Sequence, residues 1–130
     1  MEMKSMKSFE DLQVWKDAHE LVLKIYKITK KFPDDERFCL TDQLCRSACS
    51  IPANIAEGKG RKTLKEYIQF LYNARGSLEE TKYHLILSKD LGYLSHDIFN
   101  ELIEEYNQVG RMLNGLISSL KSKLANKHNE

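Results

Sequence analysis

The sequence predicts an all-α protein, an antiparallel up-down-up-down four-helix bundle. Apolar residues recur at spacings of three and four in four separate stretches, the period of a helix with one buried face. The 130 residues include only 2 prolines and 6 glycines, too few for the turns of an all-β domain. The stretches are separated by about 4–10 residues, and such short connections place consecutive helices side by side in opposite directions.

The first helix is predicted to begin after Ser8, a capping residue, and to end before Pro33. Lys30 and Lys31 place positive charge at the negative end of the helix dipole. The apolar side chains form two lines that together cover roughly half of the helix circumference, more than one core needs. The first line contains Leu12, Trp15, Ala18, Val22, Ile25, Thr29 and Phe32, and the second contains Val14, Leu21 and Ile28.

Residues 43–61, QLCRSACSIPANIAEGKGR, predict a second helix with a proline inside it. The apolar face keeps its phase across Pro52, which favours one helix kinked at Pro52 over two helices that meet there. Ser50 is expected to bond a carbonyl that the proline frees. Gly58 and Gly60 are expected to end the helix in the left-handed conformation. The apolar face consists of Leu44, Ala48, Ile51 and Ile55.

A polar stripe runs along another side of this helix. In one interpretation it is a solvent-facing surface, with contacts between arginine and glutamate or asparagine of the same chain. In the other it is a subunit interface, in which Arg46 or Arg61 pairs with Glu57 of a neighbouring copy. An exposed ion pair contributes only about 0–1 kcal/mol, too little to explain so specific a stripe. The stripe consists of Gln43, Arg46, Ser50, Asn54 and Glu57.

The third helix is predicted to run from Thr63, with Glu66 completing a capping box, to Gly92. Gly76 interrupts its pattern, and close helix packing there is preferred over a functional hinge. The third helix buries Leu64, Tyr67, Ile68, Leu71, Ala74, Leu78 and Leu85. The fourth helix is predicted to begin after Ser95. One line of its apolar residues is Leu102, Tyr106, Val109, Leu113, Leu116, Leu120 and Leu124, and the second is Ile103, Gly110 and Ile117.

One domain is predicted over residues 9–124, between flexible ends at residues 1–8 and 125–130. The doubled apolar lines of the first and fourth helices predict a flank that is buried against another copy of the chain. The alternative is that these helices are well buried within one bundle. The predicted oligomer flank consists of Val14, Leu21, Ile28, Ile103, Gly110 and Ile117.

Several classes of function lack their sequence signals. The net charge is +1, and no apolar run has the length of a signal peptide or a membrane span, so the sequence predicts a cytoplasmic protein without a membrane partner. A di-iron bundle site needs Glu-x-x-His, but Glu80 lies four residues before His84. No phosphate-loop or nucleophile motif occurs. Catalytic residues, cofactors and a metal site are therefore not expected.

The three cysteines are an odd number without a secretory signal, so reduced thiols are expected. Cys45 and Cys49 are four residues apart and could form half of a metal site. We prefer the interpretation that all three thiols, including Cys39, are small buried or half-buried side chains.

A cluster of positive charge lies between residues 59 and 75, where Glu66 is the only acid. Aromatic residues alternate with the cations, and this combination suits single-stranded nucleic acid, because cations bind phosphates and rings stack on bases. The alternative is an ordinary surface turn beside core aromatic residues. The predicted nucleic-acid-binding residues are Lys59, Arg61, Lys62, Lys65 and Arg75.

Four motifs resemble the four-helix-bundle proteins encoded in intervening sequences of bacterial 23S ribosomal RNA genes. They are FxxLxVWKxA at residues 9–18, TxxFP at 29–33, LxxQLxRxAxSIPANIAEGxGR at 40–61 and FLYxARGSLxE at 70–80. The resemblance extends over about residues 9–120. Cys39 stands where the family often has glycine, and Cys45 and Cys49 replace the commoner arginine and valine.

This resemblance implies a ring-like homopentamer and does not imply an enzyme. The location of the family's genes suggests association with RNA or the ribosome. It also extends in fold to the accessory proteins of diversity-generating retroelements, which are thought to engage a reverse transcriptase and nucleic acid. The leading hypothesis is a non-catalytic, homo-oligomeric scaffold that contacts RNA. The alternative is a protein-interaction module, for example a partner of a reverse transcriptase, without direct contact with nucleic acid.

Overall fold

The computed structural model describes residues 8–129, which form four α-helices and two short 3-10 turns and contain no strand. These helices pack together and confirm the predicted all-α four-helix bundle. The predicted flexible N-terminus, residues 1–8, lies outside the described residues except for Ser8. The helices are α1 (Gln13–Thr29), α2 (Leu40–Lys59), α3 (Leu64–Asp90) and α4 (His96–Asn129). The 3-10 turns are Phe9–Asp11 and Asp34–Glu36.

Two side-chain hydrogen bonds show how α2 and α3 lie against each other. Thr81 donates to Ser47 over 2.9 Å, and Ser77 donates to Ser50 over 2.8 Å. Later residues of α2 thus meet earlier residues of α3, so the two helices run in opposite directions. Thr81 and Ser47 are buried, and the Ser47 hydroxyl in turn donates to the Leu44 carbonyl, so both hydroxyl donors have partners inside the core.

Every α-helix contributes side chains to one hydrophobic core. Three residues of the predicted oligomer flank, Val14, Leu21 and Ile117, are buried within the single chain. Packing inside one bundle therefore accounts for these three without a second copy. Ile28 and Ile103 are partly buried against the core. Gly110, the sixth flank position, lies close to α3, since a Cβ atom added to it would be 3.0 Å from Leu78 Cδ2. The oligomer stays a prediction.

Local capping explains where two of the helices begin. Thr63 Oγ1 accepts a hydrogen bond from the Glu66 backbone N–H over 3.1 Å, which confirms Thr63 as the N-cap, and it donates to Glu66 Oε1 over 3.0 Å. The Glu66 side chain thus closes the predicted capping box through the Thr63 hydroxyl, whereas the standard motif uses the backbone N–H of the capping residue. Ser95 Oγ accepts from the Ile98 N–H at the start of α4. Ser8, in contrast, caps the 3-10 turn Phe9–Asp11, and α1 begins only at Gln13.

The second helix agrees with its prediction at Pro52 and differs from it at Ser50. α2 is one helix that continues through the buried Pro52, so two helices do not meet there. A bend at Pro52 stays a prediction. Ser50 Oγ accepts hydrogen bonds from Asn54 and Ser77, and the expected bond from Ser50 to a carbonyl freed by Pro52 is replaced by this contact with α3.

The glycines have other roles than those predicted. Gly58 lies inside α2, and Gly60 has a φ of −84°, so the expected left-handed end of this helix is wrong. The left-handed residue among those described is Gly92, with a φ of 83°, where α3 ends. The expected close packing at Gly76 is also wrong, because a Cβ atom added there would meet nothing within 4 Å. A Cβ atom on Gly58 would instead lie 2.8 Å from Phe70 Cβ.

The fourth helix is longer than its predicted domain boundary at residue 124. It continues to Asn129, so residues 125–129 are helical, and the flexibility predicted for 125–130 stays untested. This length matters for the surface described below, because the last turns of α4 lie beside the first turn of α3. None of the described helices is long and apolar enough to cross a lipid bilayer.

Candidate nucleic-acid interface

The beginning of α3 and the end of α4 enclose a cleft of about 380 Å³, here named the α3–α4 cleft. Its lining combines apolar side chains with positively charged ones. The apolar residues, called the floor, are Leu64, Tyr67 and Leu124. The cations, called the rim, are Arg61, Lys62, Lys65 and Lys127. The lining also includes Thr63, and none of the described lining residues is acidic.

The structure brings together three of the five cations predicted to bind nucleic acid. Arg61, Lys62 and Lys65 are exposed and line the cleft. Arg75 lies in a second cleft of about 480 Å³ between the same two helices, where its guanidinium donates to Asn114 over 3.0 Å. Lys59 is half-buried, with its Nζ atom 5.9 Å from the centre of the Tyr67 ring, and it lines neither cleft.

Two cations of α4 were missed by the sequence reasoning. Lys127 belongs to the α3–α4 cleft, and Lys121 lines the second cleft beside Arg75. A signal was present, because residues 106–129 contain four cations and no acid. Combined with the predicted antiparallel order, which places the end of the fourth helix beside the start of the third, this stretch would have extended the predicted surface.

The net charge of +1 conceals a strong separation of charge. Residues 57–78 contain five cations and two acids, and residues 106–129 contain four cations and no acid, which together give a charge of +7. The remaining residues contain 11 of the 20 cations and 17 of the 19 acids, a charge of −6. Cations near a helix C-terminus complement the helix dipole, but this effect is confined to about the last turn. Of the α4 cations only Lys127 lies there, so the dipole does not explain the separation.

Two of the arginines make cation–π contacts with aromatic rings of the same chain. The Arg61 guanidinium lies 4.5 Å from the centre of the Phe70 ring, and the Arg75 guanidinium lies 4.8 Å from the centre of the Tyr72 ring. Cation–π contacts of this kind fix the position of the guanidinium groups. The faces of Phe70 and Tyr72 are therefore occupied by the chain's own arginines, whereas the predicted role of such rings was to stack on bases.

Two glutamates lie next to the rim. Arg61 Nη2 is 3.4 Å from Glu57 Oε2, an exposed ion pair within one chain. Glu66 lies beside the cleft through its hydrogen bond with Thr63. Both acids lower the positive potential at the rim. A substitution of either glutamate by glutamine removes its negative charge and leaves every rim cation in place.

The polar stripe of α2 is bonded within the chain. Ser50 and Asn54 are half-buried and hydrogen-bonded to each other, and Ser50 also contacts α3. Arg46 pairs with Asp42 over 3.1 Å, and Glu57 pairs with Arg61. Intrachain contacts therefore account for these four stripe residues, as in the first of the two interpretations, and a subunit contact through them stays a prediction.

The thiols show no arrangement for catalysis or metal binding. Cys45 and Cys49 are half-buried, as expected, but Cys39 is exposed, because it precedes the first turn of α2. Burial raises the pKa of the Cys45 thiol, which keeps it protonated and weakly nucleophilic. Among residues 8–127, whose side chains the structure describes, no cluster of three or more His, Cys, Asp or Glu side chains could hold a metal ion.

Comparison with known proteins gives two similarities. A protein-family model described as 23S rRNA-intervening sequence protein matches residues 10–115. The crystal structure of a protein with unknown function from the S23 ribosomal protein family of Bacteroides thetaiotaomicron VPI-5482 has a similar fold, with a TM-score of 0.75. The two chains are 24% identical over 80% of this chain and 97% of that chain, a similarity that concerns the fold alone. No curated protein sequence matches this chain.

Proposed function

The chain belongs to the 23S rRNA-intervening sequence protein family, and from this membership we propose that it is a non-catalytic, homo-oligomeric protein that binds RNA. The observation that carries the proposal is the α3–α4 cleft, where cations from the turn before α3, from α3 and from α4 surround one space. The family's description refers to 23S rRNA, which favours RNA over DNA as the ligand. The proposed place of action is the cytoplasm.

The physical basis of binding is the release of counterions from the RNA backbone. Each phosphate neutralised by a lysine or arginine frees condensed ions, so affinity increases with the number of cations in contact and decreases with salt. The four rim cations are supplemented by Arg75 and Lys121 of the second cleft. The charge of +7 on residues 57–78 and 106–129 together makes the surface attractive to RNA despite the low net charge of the whole chain.

The homopentamer implied by the family resemblance would strengthen this interaction. Several copies of one cleft around a symmetry axis bind a large RNA multivalently, so that weak single contacts add up to a high avidity. The subunit contacts in this proposal involve surfaces other than Val14, Leu21 and Ile117, which the single chain already buries.

The test compares two double variants with the same change in charge. Arg61→Ala with Lys62→Ala removes half of the rim, whereas Lys30→Ala with Lys31→Ala removes two exposed cations that lie outside both clefts. The rim variant is expected to bind structured ribosomal RNA more weakly, with a salt slope smaller by about 2, since each phosphate contact contributes about 1. Light scattering is expected to show the same oligomer for both variants. Equal affinities would contradict the proposal.

A second candidate function is supported by the opposite end of the bundle. Phe38, in the turn before α2, is 84% exposed, and Leu91, just after α3, and Ile98, in the first turn of α4, are exposed as well. Tyr93 donates a hydrogen bond to Glu36 over 2.9 Å, which joins these two connections. Exposed apolar groups at one end suit a protein-interaction module without nucleic-acid contact. Capture of one protein partner after nuclease treatment, lost in Phe38→Ser, would support this alternative.

A further inference from the structure

We propose that the α3–α4 cleft accepts one unpaired nucleotide of the RNA, with its base on the apolar floor and its phosphate on the basic rim. The inference rests on the proposed function, because it names the part of the RNA that the cleft binds. It goes beyond charge attraction, since it assigns a role to the apolar residues that phosphate binding leaves unused.

The floor of the cleft is apolar and held in place. Tyr67 is only 7% exposed, and its ring is confined by the close approach of Gly58, where an added Cβ atom would lie 3.0 Å from Tyr67 Cδ1. Burial also raises the pKa of the Tyr67 hydroxyl, so the ring stays neutral. Leu64 and Leu124 are partly buried and pack against the core. A phosphate gains no binding free energy from such a surface. A flat nucleobase gains binding free energy there, because it buries apolar area.

The size of the cleft selects a small part of the RNA. Its volume of about 380 Å³ lies at the lower end of the ~300–1,000 Å³ typical of sites for small molecules. An RNA helix keeps its bases stacked inside, and its deep, narrow major groove is closed to side chains. A base in a loop or bulge, in contrast, can leave the stack and enter a pocket. The cleft therefore suits a bulged or looped nucleotide.

The charges around the cleft fit the phosphate of such a nucleotide. The rim cations come from both sides, with Arg61, Lys62 and Lys65 around the start of α3 and Lys127 on α4. The Arg61 guanidinium is held over Phe70, so a phosphate would meet a partly ordered donor. Two hydroxyl groups belong to the described lining, those of Thr63 and Tyr67, and the Thr63 hydroxyl is already bonded to Glu66. Recognition would therefore rest mainly on charge and apolar contact and would tolerate different bases.

The test uses two RNA hairpins that differ by one nucleotide. One is fully paired, and the other contains a single bulged 2-aminopurine. The wild-type protein is expected to bind the bulged hairpin about ten-fold more tightly at the same salt, within the range measured for single bases on protein surfaces. The 2-aminopurine fluorescence is expected to change on binding, because the base moves into an apolar site.

Two variants with the same chemical change locate the effect. Leu124→Ser makes the floor polar and is expected to reduce the ratio of the two affinities to about one. Leu23→Ser, at an exposed position of α1, is expected to retain the ratio. Circular dichroism verifies that both variants are folded, and the fluorescence measurement on the wild-type protein does not depend on them.

The outcomes separate this inference from the proposed function. Equal affinity of the wild-type protein for both hairpins, with no change in fluorescence, overturns the inference and leaves RNA binding by the rim intact. The same conclusion follows if folded Leu124→Ser keeps the preference for the bulge. Failure to bind either hairpin at low salt overturns the proposed function, and the inference with it.

Discussion

Lys127, in the last turn of α4, lines the same cleft as Arg61, which follows the end of α2. The two residues meet because α4 continues to Asn129 and so reaches the beginning of α3. Leu124, on the preceding turn, closes the apolar side of the same space. The positively charged surface is therefore a product of tertiary structure and depends on the length of α4.

Neutralising the acid beside the cleft is expected to strengthen RNA binding. Glu66→Gln removes a negative charge, while glutamine still completes the capping box with Thr63. Coulomb's law gives ~0.5 kcal/mol for unit charges roughly 8 Å apart in water, or about a two-fold gain in affinity at low salt. Fluorescence anisotropy measures the affinity for RNA, and Glu79→Gln, on the exposed side of the same helix, is the control. Unchanged affinity in a folded Glu66→Gln protein would argue against a phosphate at the rim.

The two glycines of α2 and α3 are expected to respond oppositely to alanine. A Cβ atom on Gly58 would lie 2.8 Å from Phe70 Cβ and 3.2 Å from the Tyr67 carbonyl oxygen, so Gly58→Ala forces α2 and α3 apart at a cost of about 1–3 kcal/mol. Gly76 is exposed within α3 and meets nothing, so Gly76→Ala is expected to stabilise by about 1 kcal/mol. Urea unfolding of both variants measures the difference. A stabilised Gly58→Ala protein would show that the helices are not in close contact there.

The buried Tyr106 hydroxyl predicts a loss of stability in alkali. Tyr106 is fully buried, and no group of the described residues accepts a hydrogen bond from it. Burial, with a smaller contribution from Cys49, raises the pKa of this phenol far above the ordinary tyrosine value of about 10. The neutral form is therefore favoured in the folded state, so its stabilising effect is complete below pH 10 and decreases as the pH rises above 10.

The variant Tyr106→Phe separates this effect from general alkaline denaturation. It removes a hydroxyl without a partner, so the free energy of unfolding at pH 7 is expected to stay the same or rise by up to about 1 kcal/mol. Between pH 7 and pH 11, the variant is expected to lose less stability than the wild-type protein. Urea unfolding of both proteins at pH 7 and pH 11 measures this difference in the free energy of unfolding. A clearly less stable Tyr106→Phe protein at pH 7 would mean that the hydroxyl has a hydrogen-bond partner.

The features that could be predicted from the sequence are local ones. The capping box of Thr63 and Glu66 joins residues three positions apart, and the apolar period of each helix is visible within a few turns. The partner of Ser50 could not be predicted, because Ser77 belongs to another helix. The same reason explains why the packing at Gly58 and Gly76 could not be predicted, since the neighbouring helix determines how much space surrounds a helical glycine.

The candidate site could be predicted only in part, for a related reason. Arg61, Lys62 and Lys65 are neighbours in sequence and form a visible cluster, whereas Lys127 joins them through the fold. The contacts of the aromatic residues could not be predicted from the sequence either. Phe70 and Tyr72 belong to the aromatic residues that were expected to stack on bases, but in the structure their rings contact Arg61 and Arg75 of the same chain.

The central claim, that this bundle binds RNA through its positively charged cleft, is tested most directly by fluorescence anisotropy with structured ribosomal RNA fragments at low and near-physiological salt. Binding is expected, with a logarithm of the affinity that falls linearly with the logarithm of the salt concentration. With four rim cations engaged, a slope of about −3 to −4 is expected, since each contact contributes about 0.7–0.9. Absence of binding even at low salt would contradict the account and would identify the protein as a protein-interaction bundle.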